Sequence, residues 1–240
     1  MSVRVNYSGQ FGNNLFQYCA ARRFARKNNL QLLTEWPHST IFPATPCMGG
    51  EQVAEPYRKL LDTQDDLLDR PYPPGAYCLE GYFQRPRWYD EHLDEIKSFF
   101  VLPKMCHMGD DLAVHLRLGD YRDFGPGRAI IDPGWYVHLI KKIPHRKLWI
   151  VSQEWNTRYM EPFKQFKFEY VHGFMEHDFM FLMAFKKLIC SNSTFCWWAA
   201  KLGYAQELYT FKPWIKGTWI NLALTKGATP VDGEFWNEGH

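Results

Sequence analysis

No apolar run in the 240-residue chain is long enough to cross a bilayer; stretches such as "FMFLMAF" fall far short of the roughly 18 residues required. Charge of one sign is scarce as well. The formal net charge is +2, and Lys and Arg are spread along the chain with no polybasic arm, which sets aside a general nucleic-acid binder. The six cysteines, Cys19, Cys47, Cys78, Cys106, Cys190 and Cys196, are irregularly spaced and include no C-x-x-C pair. That pattern supports neither a zinc site nor a disulfide framework, so reduced and mostly buried thiols are expected. A charged n-region followed by an apolar h-region is missing from the opening "MSVRVNYSG", which reads as a strand. The expectation is a soluble, cytoplasmic protein without a stable membrane span, in which the N-x-S/T sequons at Asn6 and Asn192 go unused. Fixed-period repeats and low-complexity segments are absent too.

What the chain has in excess is aromatic side chains, 17% of its residues, within an ordinary 46% hydrophobic content. Strand-like runs alternate with helical periods, the pattern of an α/β fold. In the first half, residues 2–7 alternate as a strand, "SGQFGNN" turns, and Phe16, Ala20 and Phe24 then recur at helical spacing. Residues 30–34 and 76–82 read as strands, and Tyr89, Leu93, Ile96 and Phe100 share one helical face. Residues 36–75 dissolve into Pro, Gly and Asp without a clear assignment. The pattern breaks again over 102–111, which places a domain junction there. In the second half, strands are expected at 111–121, 147–152, 166–171, 188–191 and 206–211, the last of them closing the series. Helices are expected between them at 132–143, 154–163, 177–187 and 195–203, with Asp132 as N-cap and Pro133 at the first helical position of one. Such a doubly wound sheet binds ligands outside the carboxyl ends of its strands.

Three stretches carry chemistry. "GQFGN", Gly9–Asn13, joins a strand to a helix; it is either a plain turn with Asn13 as a cap or a place of close ligand approach. It is not G-x-G-x-x-G, so the dinucleotide fingerprint is missing. In "HLRLGDY", His115–Tyr121, strand alternation points His115 and Arg117 to one face, where the guanidinium fork suits phosphate oxygens. Asp120 could equally hold Arg117 in a structural ion pair. In "LICSNSTFCWW", Ser191–Thr194 sit where a helix begins, and small polar residues there serve as a cap, as an anion cradle, or as both. Asp178 is readable as a first-turn acid. Asp-x-Asp, the metal-holding motif of many sugar-nucleotide enzymes, is absent, and Glu176-His177-Asp178 is a weak substitute.

Taken together, "GQFGNNLFQYCAARRFA", "GYFQRPRWY", "HLRLGDY" and "HDFMFLMAFKKLICSNSTFCWWAAKL" resemble, in order and spacing, the α-1,2-fucosyltransferases. That family carries Gly-Gly-Leu-Gly-Asn-Gln…Phe-Gln-Tyr, His-x-Arg-x-Gly-Asp-Tyr and Asn-Ser-(Ser/Thr)-Phe-Ser-Trp-Trp. This chain departs from it at Asn14, Leu118 and Cys196, and in a shorter first half. The resemblance implies a GT-B architecture: two facing Rossmann-like domains with a cleft between them, residues 1–105 on the acceptor side and 106–240 binding the GDP-sugar. It implies transfer of fucose from GDP-fucose to a glycan hydroxyl, the 2-OH of a galactoside, with inversion and no required metal or other cofactor. The implied catalytic residues are Arg117, His115, Asp120 and Asn13. Those implied for the donor are Gly12, Asn13, His115, Arg117, Asp178, Asn192, Ser193, Thr194 and Phe195. His115, Arg117 and the helix start at 191–195 would take over a metal's Coulombic role. Asp120 leads as base; if Arg117 neutralises it, the base is Glu80 or Asp123, or no strong base is needed, and Trp197 and Trp198 are expected to pack in the core rather than face sugar. The other readings are a same-fold transferase with another GDP-sugar or a protein acceptor, a GDP-sugar binder without catalysis, and a carbohydrate-binding module.

Overall fold

A computed structural model describes residues 1–39, 43–44, 57–124, 129–216 and 220–236. The chain divides between Pro103 and Lys104 into two units, each built on its own parallel sheet.

In the first unit, strand β1 (Ser2–Val5) buries Val3 and Val5 and runs into helix α1 (Phe11–Lys27). Phe16, Ala20 and Phe24 are all buried, as their helical spacing anticipates, and Arg26 and Lys27 in the last turn complement the helix dipole. Strands β2 (Gln31–Leu32), β3 (Arg58–Leu61) and β4 (Ala76–Glu80) complete a sheet of order β2-β1-β4-β3, with every pairing parallel. β3 falls in the stretch that composition left unassigned; only Leu60 of its four residues is buried, so it lacks a hydrophobic signature.

The single helix expected after Pro86 is two short ones, α2 (Arg87–Asp90) and α3 (Leu93–Lys97). The break coincides with a bond from a distant residue. In a continuous helix the Trp88 carbonyl would accept from the His92 N–H; here it accepts from the Arg23 guanidinium, and His92 donates to Tyr89 instead. Tyr89, Ile96 and Phe100 are still buried, whereas Leu93 is only half-buried.

The second unit contains β5 (Leu112–Leu116), α4 (Pro133–Lys142), β6 (Leu148–Ser152), α5 (Thr157–Met160) and β7 (Phe168–Val171). They are followed by α6 (Met175–Met183), β8 (Lys187–Cys190), α7 (Thr194–Leu202), β9 (Glu207–Lys212) and β10 (Ala228–Asp232). Asp132 caps α4 as expected, its Oδ1 accepting from the Gly134 N–H at 2.7 Å. The helix expected over 154–163 is shorter and irregular: α5 gives way to a 3-10 turn at Glu161–Gln165.

All five strand pairings are parallel, in the order β10-β9-β8-β5-β6-β7. This is the doubly wound order of dinucleotide-binding folds, with strand direction of travel reversing between β5 and β8. β10 is a strand beyond the last expected one. It lies at the sheet edge, where Pro230 is tolerated and where its proline and preceding glycine hide it from pattern reading. Val114, Ile150, Ile189 and Phe211 form the centre of the core, and Trp197 and Trp198 are fully buried, ring against ring at 4.9 Å.

Among the described residues the cysteines are unpaired; Cys19, Cys78, Cys190 and Cys196 are buried and Cys106 is exposed, while Cys47 lies outside them. No helix among the described residues is long and apolar enough to cross a membrane. Asn192 of the second sequon is 1% exposed and so out of reach of glycosylation in the folded unit, whereas Asn6 is exposed.

Candidate active site

The second unit gathers its distinctive side chains at the carboxyl ends of β5 to β8. His115 is the penultimate residue of β5 and is 3% exposed. Its Nδ1 lies 2.7 Å from the Ser191 hydroxyl just past β8, the strand beside it at the reversal point. Burial, aided by the Arg117 charge, lowers its pKa from 6.5 to about 3, so the imidazole is neutral at physiological pH. Of the two side chains read as cationic or polar, His115 is therefore the polar one. It buttresses the end of β5 against Ser191, and its ring packs 5.7 Å from that of Phe195.

Arg117 follows on the same strand face and carries the charge. One nitrogen donates to Gln153 Oε1 at 2.8 Å. The other reaches the two oxygens of Asp120 at 2.7 and 2.9 Å, and the guanidinium lies 5.2 Å over the Tyr121 ring. The structural ion pair with Asp120 is thus present, and Arg117 also lines a pocket. Tyr121 donates to the backbone carbonyl of Asn192 at 2.8 Å, and burial raises its phenol pKa. Of the other carboxylates considered as bases, Glu80 in the first unit pairs with Lys59 at 3.0 Å, and Asp123 is exposed on the 3-10 turn after β5.

Asp178 sits in the first turn of α6 and is 3% exposed. The Gly173 N–H donates to one carboxylate oxygen at 3.3 Å, and His177 Nδ1 lies 3.2 Å from the other. A Cβ at Gly173 would stand 2.7 Å from His177 Nδ1 and 3.0 Å from Asp178 Oδ1, so a larger residue there would require the His177 side chain to move.

One pocket collects these elements. It is lined by His115 and Arg117 at the end of β5, Val151, Ser152 and Gln153 at the end of β6, Gly173, Met175 and Asp178 around the start of α6, and Phe195 in α7. The stretch 191–194 behaves differently from its expected part. Ser193 occupies the N-cap position of α7 without a side-chain cap bond, which corrects the cap reading. Asn192 points into the unit, its Nδ2 donating to the Ala129 carbonyl at 2.7 Å. Of the residues expected to cradle the donor there, Phe195 lines the pocket, and Asn192, Ser193 and Thr194 do not.

Ser152, Gln153, Gly173 and Met175 were missed in the sequence. Ser152 and Gln153 were within reach, because they end a strand of a parallel sheet, where ligands gather. Gly173 stands at a strand-to-helix turn, also a legible position.

In the first unit, Gly12 and Asn13 belong to the first turn of α1, whose N-cap position is Gln10 with no side-chain cap bond. Asn13 is therefore not a helix cap, because it is already helical. Its Oδ1 accepts from Gln84 at 2.9 Å, and the turn at Gly9, with φ of +72°, lies against its amide. Beside it, Gln17 is fully buried and donates to the Ser8 hydroxyl and the Gly81 carbonyl, both at 2.9 Å, while accepting from Asn14 at 3.1 Å. His38 Nε2 lies 2.9 Å from Asn14 Oδ1. Among the described residues no group of three or more His, Cys, Asp or Glu side chains is assembled as a metal would need.

A family model described as Glycosyl transferase family 11 matches residues 51–215. Among solved structures, the NodZ alpha-1,6-fucosyltransferase soaked with GDP-fucose resembles this chain with a TM-score of 0.55 at 13% identity, covering 90% of this chain and 97% of that one. Arabidopsis thaliana FUT1, as a point mutant in complex with GDP, gives a TM-score of 0.51 at 12% identity, covering 87% of this chain and 70% of that one. At such identities the likeness is one of fold. A comparison with curated proteins finds no match.

Proposed function

Because this chain belongs to glycosyl transferase family 11, we propose that it transfers fucose from GDP-fucose to the 2-OH of a galactoside in a glycan, with inversion and without an essential metal. The observation that carries this reading is the meeting of Arg117 and Asp178, 61 residues apart in sequence, in one pocket at the strand ends where a doubly wound sheet reverses. One group suits a phosphate and the other a base edge.

Guanine presents its N1–H and exocyclic amine as two adjacent donors, which match the two oxygens of a carboxylate held as Asp178 is. The Arg117 fork serves the diphosphate, and the positive end of the α7 dipole adds to it. In the transfer, the acceptor oxygen bonds to the anomeric carbon as the bond from that carbon to the β-phosphate oxygen breaks on the opposite face. Negative charge builds on the departing GDP, where a preorganised guanidinium stabilises the transition state. The hydroxyl proton passes to a base, for which Asp120 is the leading candidate. Arg117 holds Asp120 before the donor arrives; a diphosphate that draws the guanidinium away releases the carboxylate to accept that proton.

The test is incubation with labelled GDP-fucose and a panel of galactosides in excess chelator, with the product linkage determined. An α-1,2-linked product is expected. A product in another linkage overturns the acceptor assignment, activity that returns only with a divalent ion overturns the metal-free mechanism, and donor binding without transfer or hydrolysis leaves a non-catalytic GDP-sugar binder.

A further inference from the structure

We propose that Gln153 is a positioning residue for Arg117: its amide oxygen holds the guanidinium in place without neutralising it, so that the charge stays available to a bound diphosphate. The inference rests on reading this pocket as the GDP-sugar site. Gln153 directly follows β6 and Arg117 directly follows β5, the strand beside it, and both residues line the pocket. Gln153 Oε1 accepts from Arg117 Nη1 at 2.8 Å. Arg117 Nη2 meanwhile serves both oxygens of Asp120, at 2.7 and 2.9 Å. A guanidinium has only donors to offer, so the Gln153 amide must turn its oxygen toward Arg117.

The mount of Gln153 is fixed. Ser152 before it is 1% exposed, and the Ser152 carbonyl accepts from the Tyr170 hydroxyl at 3.2 Å and lies 3.1 Å from His172 Nδ1. Glu154 after it pairs with Arg122. Of two successive acceptors beyond β6, the neutral one therefore meets the pocket arginine, and the charged one is paired with Arg122. That distribution matters because the two acceptors act differently on a cation. A carboxylate orients a guanidinium and cancels its charge, whereas an amide oxygen orients it and leaves the charge. Arg117 already has one carboxylate in Asp120. When a diphosphate takes Nη2 from Asp120, Gln153 still holds Nη1, and the fork stays aimed. A second carboxylate at position 153 would hold the same nitrogen and compete with the phosphates.

Calorimetry with GDP on wild type, Gln153→Met, Gln153→Glu, Arg117→Ala and the Arg117→Ala/Gln153→Met pair tests this. Gln153→Met removes the acceptor at similar volume and should weaken GDP about tenfold, the scale of one hydrogen bond to a charged group. Gln153→Glu keeps an acceptor oxygen, yet it should bind GDP more weakly still; a residue that served only to brace the fold would rank the two the other way. In the Arg117→Ala background, Gln153→Met should change GDP affinity by less than about twofold, since Gln153 acts through that guanidinium. Gln153 is exposed, so its variants should melt as wild type does. Wild-type affinity in Gln153→Met, or a loss that persists in full without Arg117, overturns the positioning role while leaving the donor site intact. A Gln153→Glu protein that binds GDP as wild type does overturns the requirement for a neutral acceptor. A wild-type protein that does not bind GDP, or an Arg117→Ala protein that binds it with unchanged affinity, overturns the reading of the pocket itself, and the role of Gln153 with it.

Discussion

The two units end their parallel strands in different chemistry. In the first, Ser8, Gln17, Asn14 and His38 are linked in one chain of hydrogen bonds, and Asn13 pairs with Gln84. In the second, the corresponding strand ends carry Arg117, Asp120 and Asp178, whose charges are held in pairs or by backbone donors. A network of amides and a hydroxyl that satisfy each other gains rigidity and itself carries no charge for a ligand to neutralise. A pocket of opposed charges does the reverse, since under the proposed function a diphosphate competes with Asp120 for Arg117 by offering the same guanidinium more oxygens. The same α/β scaffold serves both, and the residues at the strand ends decide which chemistry follows.

The largest effect that would separate the two regions is on turnover. Arg117→Ala should reduce transfer at least about 100-fold, the scale of losing one key electrostatic donor, with Arg117→Lys a partial rescue because a point charge does not reproduce the fork. Turnover near wild type in Arg117→Ala at saturating donor would remove the charged pocket from catalysis. In the first unit the matching change should act on stability. Gln17→Leu, which strips the hydrogen bonds from Ser8, Asn14 and Gly81, should destabilise the protein by about 2 kcal/mol in urea unfolding. An unchanged midpoint would mean that the amide network is not what holds that unit.

A smaller effect sharpens the role of Asp178. GDP should raise the melting temperature clearly, with UDP and ADP doing little at equal concentration, and Asp178→Ala should abolish that preference. A folded Asp178→Ala protein with unchanged GDP affinity would leave Asp178 as a helix-start acid worth under about 1 kcal/mol. A further effect, read through pH, concerns His115. Its folded pKa of about 3 lies below the ordinary 6.5, so between those values the unfolded chain binds a proton that the folded one does not. Stability from this group is therefore complete above pH 6.5 and declines as pH falls toward 3, by at most about 1.4 kcal/mol per pH unit. Urea titrations at pH 7, 6, 5 and 4 should show a shallower decline in His115→Gln; identical slopes would mean that His115 is not held neutral by the fold.

Much of this protein is legible in local sequence. Alternation and helical period reveal most of the second unit's strands and helices, and Asp132-Pro133 marks the start of α4, because these signals act within a few residues. The strand-end His115 and Arg117, and the motifs shared with the fucosyltransferases, are equally local. What depends on distant partners is not legible there. The break between α2 and α3 comes from Arg23, some 65 residues away, and the edge strands β3 and β10 take their form from neighbours rather than from hydrophobic patterns of their own. Only the sheet order brings Ser152, Gln153 and Gly173 to His115 and Arg117, and burial, with the Arg117 charge beside it, keeps His115 neutral. The sequence by itself determined which residues could do the chemistry, because side-chain type and strand alternation are local properties. The tertiary structure decided which of them meet and in what charge state, because proximity and desolvation depend on how the whole unit packs.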